Sequence, residues 1–274
     1  MGCRRKALGW LLMMGCAAGA QAQSTGGTPV PLNSPPHVSM SRPVAPSQGF
    51  VAAPVPLEEL APPMRERVRA VLEHPTLSSR GPLEAFHCRP ALYYWLLDHP
   101  DQAVKLWRGL GAKCTDIQSY GEGNFTWKDA QNGEVHWQTI LRTPRQRVWY
   151  AEGKVKPSLM LPSVPIRAVV VLNHQEGTDG GGKTAIRHQM DLILHTDSRA
   201  VNLVTRLFGA SAPRMAEEYV GQMEMFFGAL AWYLTEHPDK AAPLFEELKR
   251  SAGPIAPRGA ATPPPARTIS RGNG

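Results

Sequence analysis

The sequence predicts an α+β fold with an antiparallel sheet of about seven strands and a long C-terminal helix. Six segments between residues 114 and 196 alternate apolar and polar residues, as half-buried strands do. Turn signals rich in Gly, Asn and Pro separate them, and this spacing favours an antiparallel meander. Residues 211–236 instead repeat apolar residues at helical spacing.

Shorter elements are predicted ahead of the meander. A helix over residues 62–74 ends before a proline, and a strand follows at 82–88. Prolines then begin or end two consecutive helices, at 90–99 and 101–109, and two glycines stop the second. The chain therefore enters the sheet through a strand and a helix pair.

The meander and the helices after it complete the predicted domain. The six strands are predicted at residues 114–120, 124–130, 134–141, 146–155, 167–175 and 184–196. A short helix over 197–208 should precede the long helix. One apolar stripe on the long helix comprises Met215, Tyr219, Met223, Phe226, Phe227, Leu230 and Leu234.

The glycine-rich segment Gly177–Thr184 matches the pattern of a phosphate-binding loop, G-x-x-x-x-G-K-T. Such a loop needs a helix beginning at its Lys-Thr pair, so that backbone N–H groups point at phosphate. Residues 184–196 alternate as a strand instead. We therefore predict a hairpin turn here and no nucleotide site.

The N-terminus reads as an export signal. A basic run, Arg4-Arg5-Lys6, precedes an apolar stretch over residues 7–18 and an A-x-A cleavage site that ends at Ala22. We expect a secreted or periplasmic protein that begins at Gln23. The alternative is a lipoprotein anchored through Cys16, but the usual Leu is missing three positions before that cysteine.

The remaining terminal segments are not expected to fold. Residues 23–60 read as a disordered Pro-rich linker and residues 253–274 as a disordered tail, which leaves one domain over 61–252. The net charge is +7, but acidic and basic residues are nearly balanced and interspersed within the domain. Nucleic-acid binding needs clustered cations and is not predicted.

The element order resembles the helix-grip fold of the START-like and polyketide-cyclase-like superfamily. The resemblance is one of topology over about residues 80–237, and its closest local likeness lies between Phe86 and Gly111. It implies a curved antiparallel sheet wrapped around the long C-terminal helix, with an apolar cavity between them. Members commonly bind lipids or other hydrophobic molecules, and some are cyclases or hydrolases. None of their catalytic residues matches a position here.

Strand and helix periodicity indicates which side chains would face such a cavity. An apolar small molecule or lipid is the expected partner, and no cofactor is expected. The same residues could equally fill an ordinary core. The candidate ligand-binding residues are Trp127, Trp137, Trp149, His188, Met190, Tyr219, Met223 and Phe226.

Two alternative functions remain open. His188 lies on an apolar strand face, where it could be a hydrogen-bonded core residue or the acid–base group of an enzyme. A filled core would instead suit an interaction module of the cell envelope, with possible peripheral membrane contact.

Cysteine and histidine spacing indicates no metal site. The nine histidines form no H-E-x-x-H pattern or other close ligand spacing, and no catalytic residue is assigned. Cys88 and Cys114 remain after signal cleavage. They are candidates for one disulfide, with two buried free thiols as the alternative.

Overall fold

The structure is a computed structural model that describes residues 54–129, 133–156, 163–196 and 212–251. The predicted signal peptide, most of the linker, the helix predicted at 197–208 and the whole tail lie outside the described residues.

The described strands form one antiparallel sheet with the order β1-β8-β7-β6-β5-β4-β3, and β2 also pairs with β8. Six of them, β3 to β8, are the meander predicted from the alternating pattern. The strands are β1 (Leu77–Arg80), β2 (Glu84–His87), β3 (Ile117–Gly121), β4 (Asn124–Asp129), β5 (Gly133–Arg142), β6 (Gln146–Val155), β7 (Val164–Thr178) and β8 (Thr184–Thr196).

Five α-helices within the described residues accompany the sheet. They are α1 (Pro62–Glu73), α2 (Pro90–Asp98), α3 (Pro100–Gly109), α4 (Ala212–Glu236) and α5 (Pro238–Ser251). The α+β prediction, with an antiparallel sheet and a long C-terminal helix, is confirmed. The sheet has eight strands rather than seven because β1, with the polar sequence LSSR, carries too little alternation to be recognised.

The β7–β8 connection is a hairpin, as predicted. The Asp179 carboxylate accepts hydrogen bonds from the backbone N–H groups of Gly181 and Lys183, at 2.9 and 2.7 Å. Gly182 adopts φ +78°, which a residue with a side chain rarely tolerates. A strand, not a helix, begins at Thr184, so the phosphate-loop geometry is absent from this described segment.

The two faces of the sheet pack against different helices. The inner face packs on α4, because Ile186, Met190 and Leu192 of β8 join most of the apolar stripe of that helix in the main core. The outer face packs on α1, where Val68 and Val71 are fully buried against side chains of β6 and β7 such as Val148 and Val169.

The described end of the segment predicted as linker, residues 54–60, packs against the domain. Leu57–Glu59 form a 3₁₀ turn, and Leu60 is buried in the outer core. The Arg65 guanidinium donates to the carbonyl oxygens of Leu57, Glu58 and Leu60. The predicted boundary at residue 61 is therefore a few residues late, because proline content masks this packing.

No helix among the described residues is long and apolar enough to cross a membrane.

Candidate functional site: an apolar cavity under the long helix

A cavity of about 130 Å³ lies between the inner face of the sheet and α4. Strands β4 to β8 supply most of its wall, and α4 closes it with Met223 and Phe227. Among the described residues, none of the lining side chains carries a charge. They are Pro100, Trp127, Val135, Trp137, Trp149, Ala151, Val155, Ile166, Ala168, Val170, Met190, Leu192, Leu194, Met223 and Phe227.

Strand pairing explains why these side chains share one face. Partners across an antiparallel ladder point to the same side of the sheet. Trp137 pairs with Ala151, which pairs with Ala168, so a large residue stands beside two small ones. The two alanines leave space under α4 that larger side chains would fill.

Aromatic rings define part of the wall. The indole of Trp149 lies nearly parallel to the ring of Phe227, with centroids 6.3 Å apart and an angle of 5° between the planes. Trp137 stacks on Phe125, outside the cavity lining, with a centroid distance of 5.6 Å. Such contacts fix ring orientation, so this part of the wall is preformed.

The structure places five of the eight predicted ligand-binding residues on the cavity wall. These are Trp127, Trp137, Trp149, Met190 and Met223. Their role in binding stays a prediction. The other three, His188, Tyr219 and Phe226, are buried but do not line the cavity. Phe227 takes the position predicted for Phe226, whose backbone carbonyl accepts the indole N–H of Trp107 at 2.9 Å.

His188 is fully buried, and both ring nitrogens have partners. Its Nδ1 lies 2.7 Å from the Tyr93 hydroxyl, and its Nε2 lies 3.2 Å from Oε2 of Glu84. Because a carboxylate only accepts, Nε2 donates to Glu84, and in the neutral ring Nδ1 then accepts from the Tyr93 hydroxyl. Phe86 packs on the ring edge, with centroids 5.0 Å apart. This arrangement is that of a hydrogen-bonded core histidine.

His174 is opposite His188 on β7, and its ring nitrogens have no hydrogen-bond partner within the described part of the chain. Burial lowers the pKa of His174 to about 4, and electrostatic interactions with Arg147 and then His188 are lesser causes. The ring packs against the aromatic rings of Tyr93 and Tyr94. His174 is therefore neutral near pH 7.

Glu224 projects from α4 into the inner core and is fully buried. One carboxyl oxygen accepts the backbone N–H of Met190, and the other has no partner among the described residues. Burial raises the pKa of Glu224 to about 8, and the charges of Glu84 and Asp191 contribute to the same shift. Glu224 is therefore mostly protonated near pH 7.

Strands β1 and β2 do not form one continuous partner for β8, and the backbone N–H of Met190 at this gap is bonded to the Glu224 carboxyl instead of to a strand. Strand β1 pairs with β8 as far as Asp191, and β2 resumes at His188. Between them, Gly81 donates its N–H to the Met190 carbonyl at 2.8 Å. A Cβ on Gly81 would lie 2.3 Å from the Glu224 carboxyl oxygen, so only glycine allows this close approach.

Cys88 is a free, buried thiol. The predicted disulfide between Cys88 and Cys114 is therefore wrong: sequence spacing carries no information on the distance between two side chains. Burial raises the pKa of the Cys88 thiol to about 12, and the nearby Glu176 charge adds to the shift. The thiolate is strongly disfavoured, which makes Cys88 an unreactive core residue.

Sequence reasoning missed Glu224, Tyr93, Glu84 and His174. A signal existed for Glu224, which lies four residues after the apolar Val220 and three before Phe227, so a charged residue stands beside the apolar stripe. The partners of His188 come from segments about a hundred residues away, and no local pattern indicates them. Within the described residues, no cluster of three or more His, Cys, Asp or Glu could hold a metal ion.

No protein-family model and no curated protein matches the chain. Solved structures show weak likenesses. A conserved protein from Geobacillus kaustophilus has a TM-score of 0.34 at 9% identity, covering 56% of this chain and 95% of its own. A truncated norcoclaurine synthase from Thalictrum flavum has a TM-score of 0.30 at 12% identity, covering 53% of this chain and 91% of the synthase chain.

A third similar structure is a di-domain ARO/CYC protein of the BE-7585A biosynthetic pathway. Its TM-score is 0.30 at 13% identity, covering 65% of this chain and 51% of its own. The synthase and the cyclase have helix-grip folds. These TM-scores are too low to carry over any ligand or activity.

Proposed function

We propose that this protein binds a small, uncharged hydrophobic molecule in the cavity between the sheet and α4. One observation carries the proposal: the cavity is walled by apolar and aromatic side chains, and its volume is about 130 Å³. Apolar cavities of ~150 Å³ stay dry and take up molecules such as benzene. Binding would remove the ligand's apolar surface from water, which stabilises the complex by roughly 25 cal/mol per Å² of buried apolar surface.

The cavity volume narrows the ligand class. Sites for drug-sized molecules measure ~300–1,000 Å³, and this cavity is well below that range. A benzene-sized molecule fits the space as it stands, whereas a whole lipid does not. A charged group would find no opposite charge on the described part of the wall and would lose its hydration without compensation. We therefore favour a small neutral molecule over a lipid.

The enzyme alternative has less support from the geometry. An acid–base group needs an available nitrogen within reach of the reacting atom. Both nitrogens of His188 are engaged, and the residue does not line the cavity. The alternative of a filled core at the cell envelope conflicts with the cavity itself. We therefore propose binding without covalent catalysis.

Native mass spectrometry before and after organic extraction tests the proposal on protein expressed as the whole 274-residue chain. We expect a removable small-molecule mass, or uptake of benzene as a probe. The variant Ala168→Leu fills the cavity and should abolish uptake, whereas Ala70→Leu on the exposed face of α1 should not. A bare protein that takes up no probe would favour the interaction-module alternative.

We further propose that the protein acts outside the cytoplasm. The basic run, apolar stretch and A-x-A site of residues 1–22 support this. Intact mass measurement should find a chain that begins at Gln23. A mass increase removed by Cys16→Ala would instead identify a lipoprotein.

A further inference from the structure

A second concave site lies on the outer face of the sheet, beside α1. It is a groove of about 460 Å³ whose described lining comes from that helix and from β3 to β6. Sites for drug-sized molecules measure ~300–1,000 Å³, so the groove is large enough to hold a ligand. Trp137 is the one described residue that lines both the groove and the apolar cavity, so the two sites are largely separate.

Strand register places two rows of polar side chains along the groove. In one row, Asn124 of β4 pairs with Gln138 of β5. In the other, Thr126 pairs with His136, which pairs with Glu152 of β6. Partners across an antiparallel ladder share a face, and successive residues of a strand alternate between faces. The same alternation that lines the inner cavity with apolar residues therefore lines this groove with polar ones.

The groove differs from an ordinary solvated strand face because part of its lining is buried. Thr126 and Tyr150 are almost inaccessible to solvent. The side chains of His136 and Glu152, by contrast, are 57% and 49% exposed. Buried and exposed side chains thus surround one depression, and its exposed polar groups are within reach of a ligand that enters it.

The charges that line the groove cancel. Arg67 of α1 and Glu152 are the charged residues of the described lining, and Arg67 Nη1 lies 3.6 Å from Glu152 Oε1. His136 has its own partners, with Nδ1 2.7 Å from the Thr126 hydroxyl and Nε2 3.3 Å from the Glu134 carboxylate. A charged ligand would have to compete with these internal contacts. The groove therefore suits a neutral ligand.

Hydrogen-bond donors and acceptors are mixed along the groove. The Glu152 carboxylate accepts and the Arg67 guanidinium donates. The side-chain amides of Asn124 and Gln138 each do both, although one Asn124 N–H is used on the carbonyl oxygen of Gly121. A hydroxyl group also donates and accepts, so a molecule with several hydroxyl groups matches this lining better than one with acceptors alone.

An exposed aromatic ring stands at the edge of the groove. Tyr120 of β3 lines the groove and is 68% exposed. Its hydroxyl donates to Gln118 Oε1 at 2.9 Å, which holds the side chain in place. Such a ring offers an apolar surface next to the polar rows. A sugar ring combines the same two properties, with C–H groups on its faces and hydroxyl groups around its edge.

We infer that the outer groove binds a neutral saccharide of one or two sugar rings. The Tyr120 ring packs on a C–H face of the sugar, and the exposed side chains of the two polar rows bond its hydroxyl groups. This is a second site, and it does not depend on ligand binding in the inner cavity. A hydrophobic molecule would desolvate the polar rows without replacing their hydrogen bonds to water. An acidic sugar would bring an unbalanced negative charge beside Glu152.

Titration of the full chain with sugars, followed by ¹H–¹⁵N NMR, tests this inference. The neutral probes are cellobiose, lactose and N,N′-diacetylchitobiose, and glucuronic acid is the charged comparison. We expect at least one neutral probe to bind in the millimolar range or more tightly and glucuronic acid to bind more weakly. The backbone resonances that move should be those of β4 and β5 around Asn124, His136 and Gln138, whereas that of Met190 in the inner cavity should not move.

Substitutions at the groove separate its two kinds of contact. Tyr120→Ala should weaken binding of the neutral probe by about two- to tenfold, and Tyr120→Phe, which keeps the ring, should restore most of that loss. Gln138→Ala should also weaken binding by about two- to tenfold, the worth of one net hydrogen bond. The matched control is Gln175→Ala, an exposed glutamine of β7 outside the groove lining, which should leave the affinity unchanged.

Several results would overturn the inference, and none of them bears on the inner cavity. One is that no neutral probe binds the wild type at millimolar concentration, and another is that glucuronic acid binds more tightly than the neutral sugars. A third is that the resonance changes lie away from β4 and β5. A second copy of the chain is a rival occupant of the groove, and it would appear in sedimentation as a dimer that Tyr120→Ala dissociates.

Discussion

Replacing Glu224 by glutamine should stabilise the protein by an amount that grows with pH. The folded state holds this carboxyl group at a pKa of about 8, against 4.5 for a solvated glutamate. Below pH 4.5 both states are protonated and burial of the carboxyl carries no ionisation cost. As pH rises from 4.5 to 8, the unfolded chain ionises and the folded state does not, so wild-type stability falls. The slope is ~1.4 kcal/mol per pH unit, with an upper limit of about 5 kcal/mol.

The Glu224→Gln variant carries a neutral amide at every pH, and the amide retains an oxygen to accept the Met190 N–H. Urea unfolding of wild type and variant at pH 5, 6, 7, 8 and 9 measures the difference in free energy of unfolding. Because both proteins keep every other titrating group, the difference isolates this carboxyl. Glu217→Gln, on an exposed position of the same helix, is the control and should show no such slope. A difference between Glu224→Gln and wild type that is independent of pH would refute a raised pKa.

Three other substitutions probe the inner core. As pH falls from 6.5 towards 4, His174 should lower the free energy of unfolding, because the unfolded chain takes up a proton while the folded pKa of about 4 keeps the buried ring neutral. In acid-unfolding curves, His174→Leu should remove this loss, whereas His74→Leu, at an exposed position, should not. Tyr93→Phe leaves Nδ1 of His188 unpaired and should cost ~1–3 kcal/mol in urea unfolding, whereas Tyr120→Phe, 68% exposed, should change stability by less than ~0.5 kcal/mol. Gly81→Ala should destabilise the protein, and combining it with Glu224→Ala should relieve much of that loss, since the clash is with the Glu224 carboxyl.

The fold class could be predicted because the sheet carries a strong alternating pattern. In β8 every second residue from Ile186 to Leu194 is buried, as its apolar–polar alternation requires. The same parity places Trp137, Trp149 and Met190 on one face. The alternating pattern did not predict β1, because this short strand at the edge of the sheet is mostly polar.

The candidate site was less predictable because it depends on rotation and distance. Phe226 and Phe227 are adjacent on α4 and about 100° apart around the helix, so only the packed helix shows that Phe227 faces the cavity. Periodicity alone did not show that Ala151 and Ala168 leave space under α4. The volume depends on how closely a distant helix approaches two small residues, which alternation does not encode.

Along β8, the inner face of the sheet changes from a filled region around His188 to the apolar cavity that begins at Met190. At His188 the space is filled: Phe86 packs on the imidazole, and a Cβ added to Gly228 would lie 3.2 Å from it. Met190, two residues further and ~7 Å along the strand, already lines the cavity. The titratable side chain on this face, His188, therefore lies in a filled region, whereas the described side chains around the cavity carry no acid–base group. That separation supports the proposal that the cavity binds a molecule without converting it. Among the described residues that line the cavity, only Trp127 has a buried polar side-chain atom without a hydrogen-bond partner.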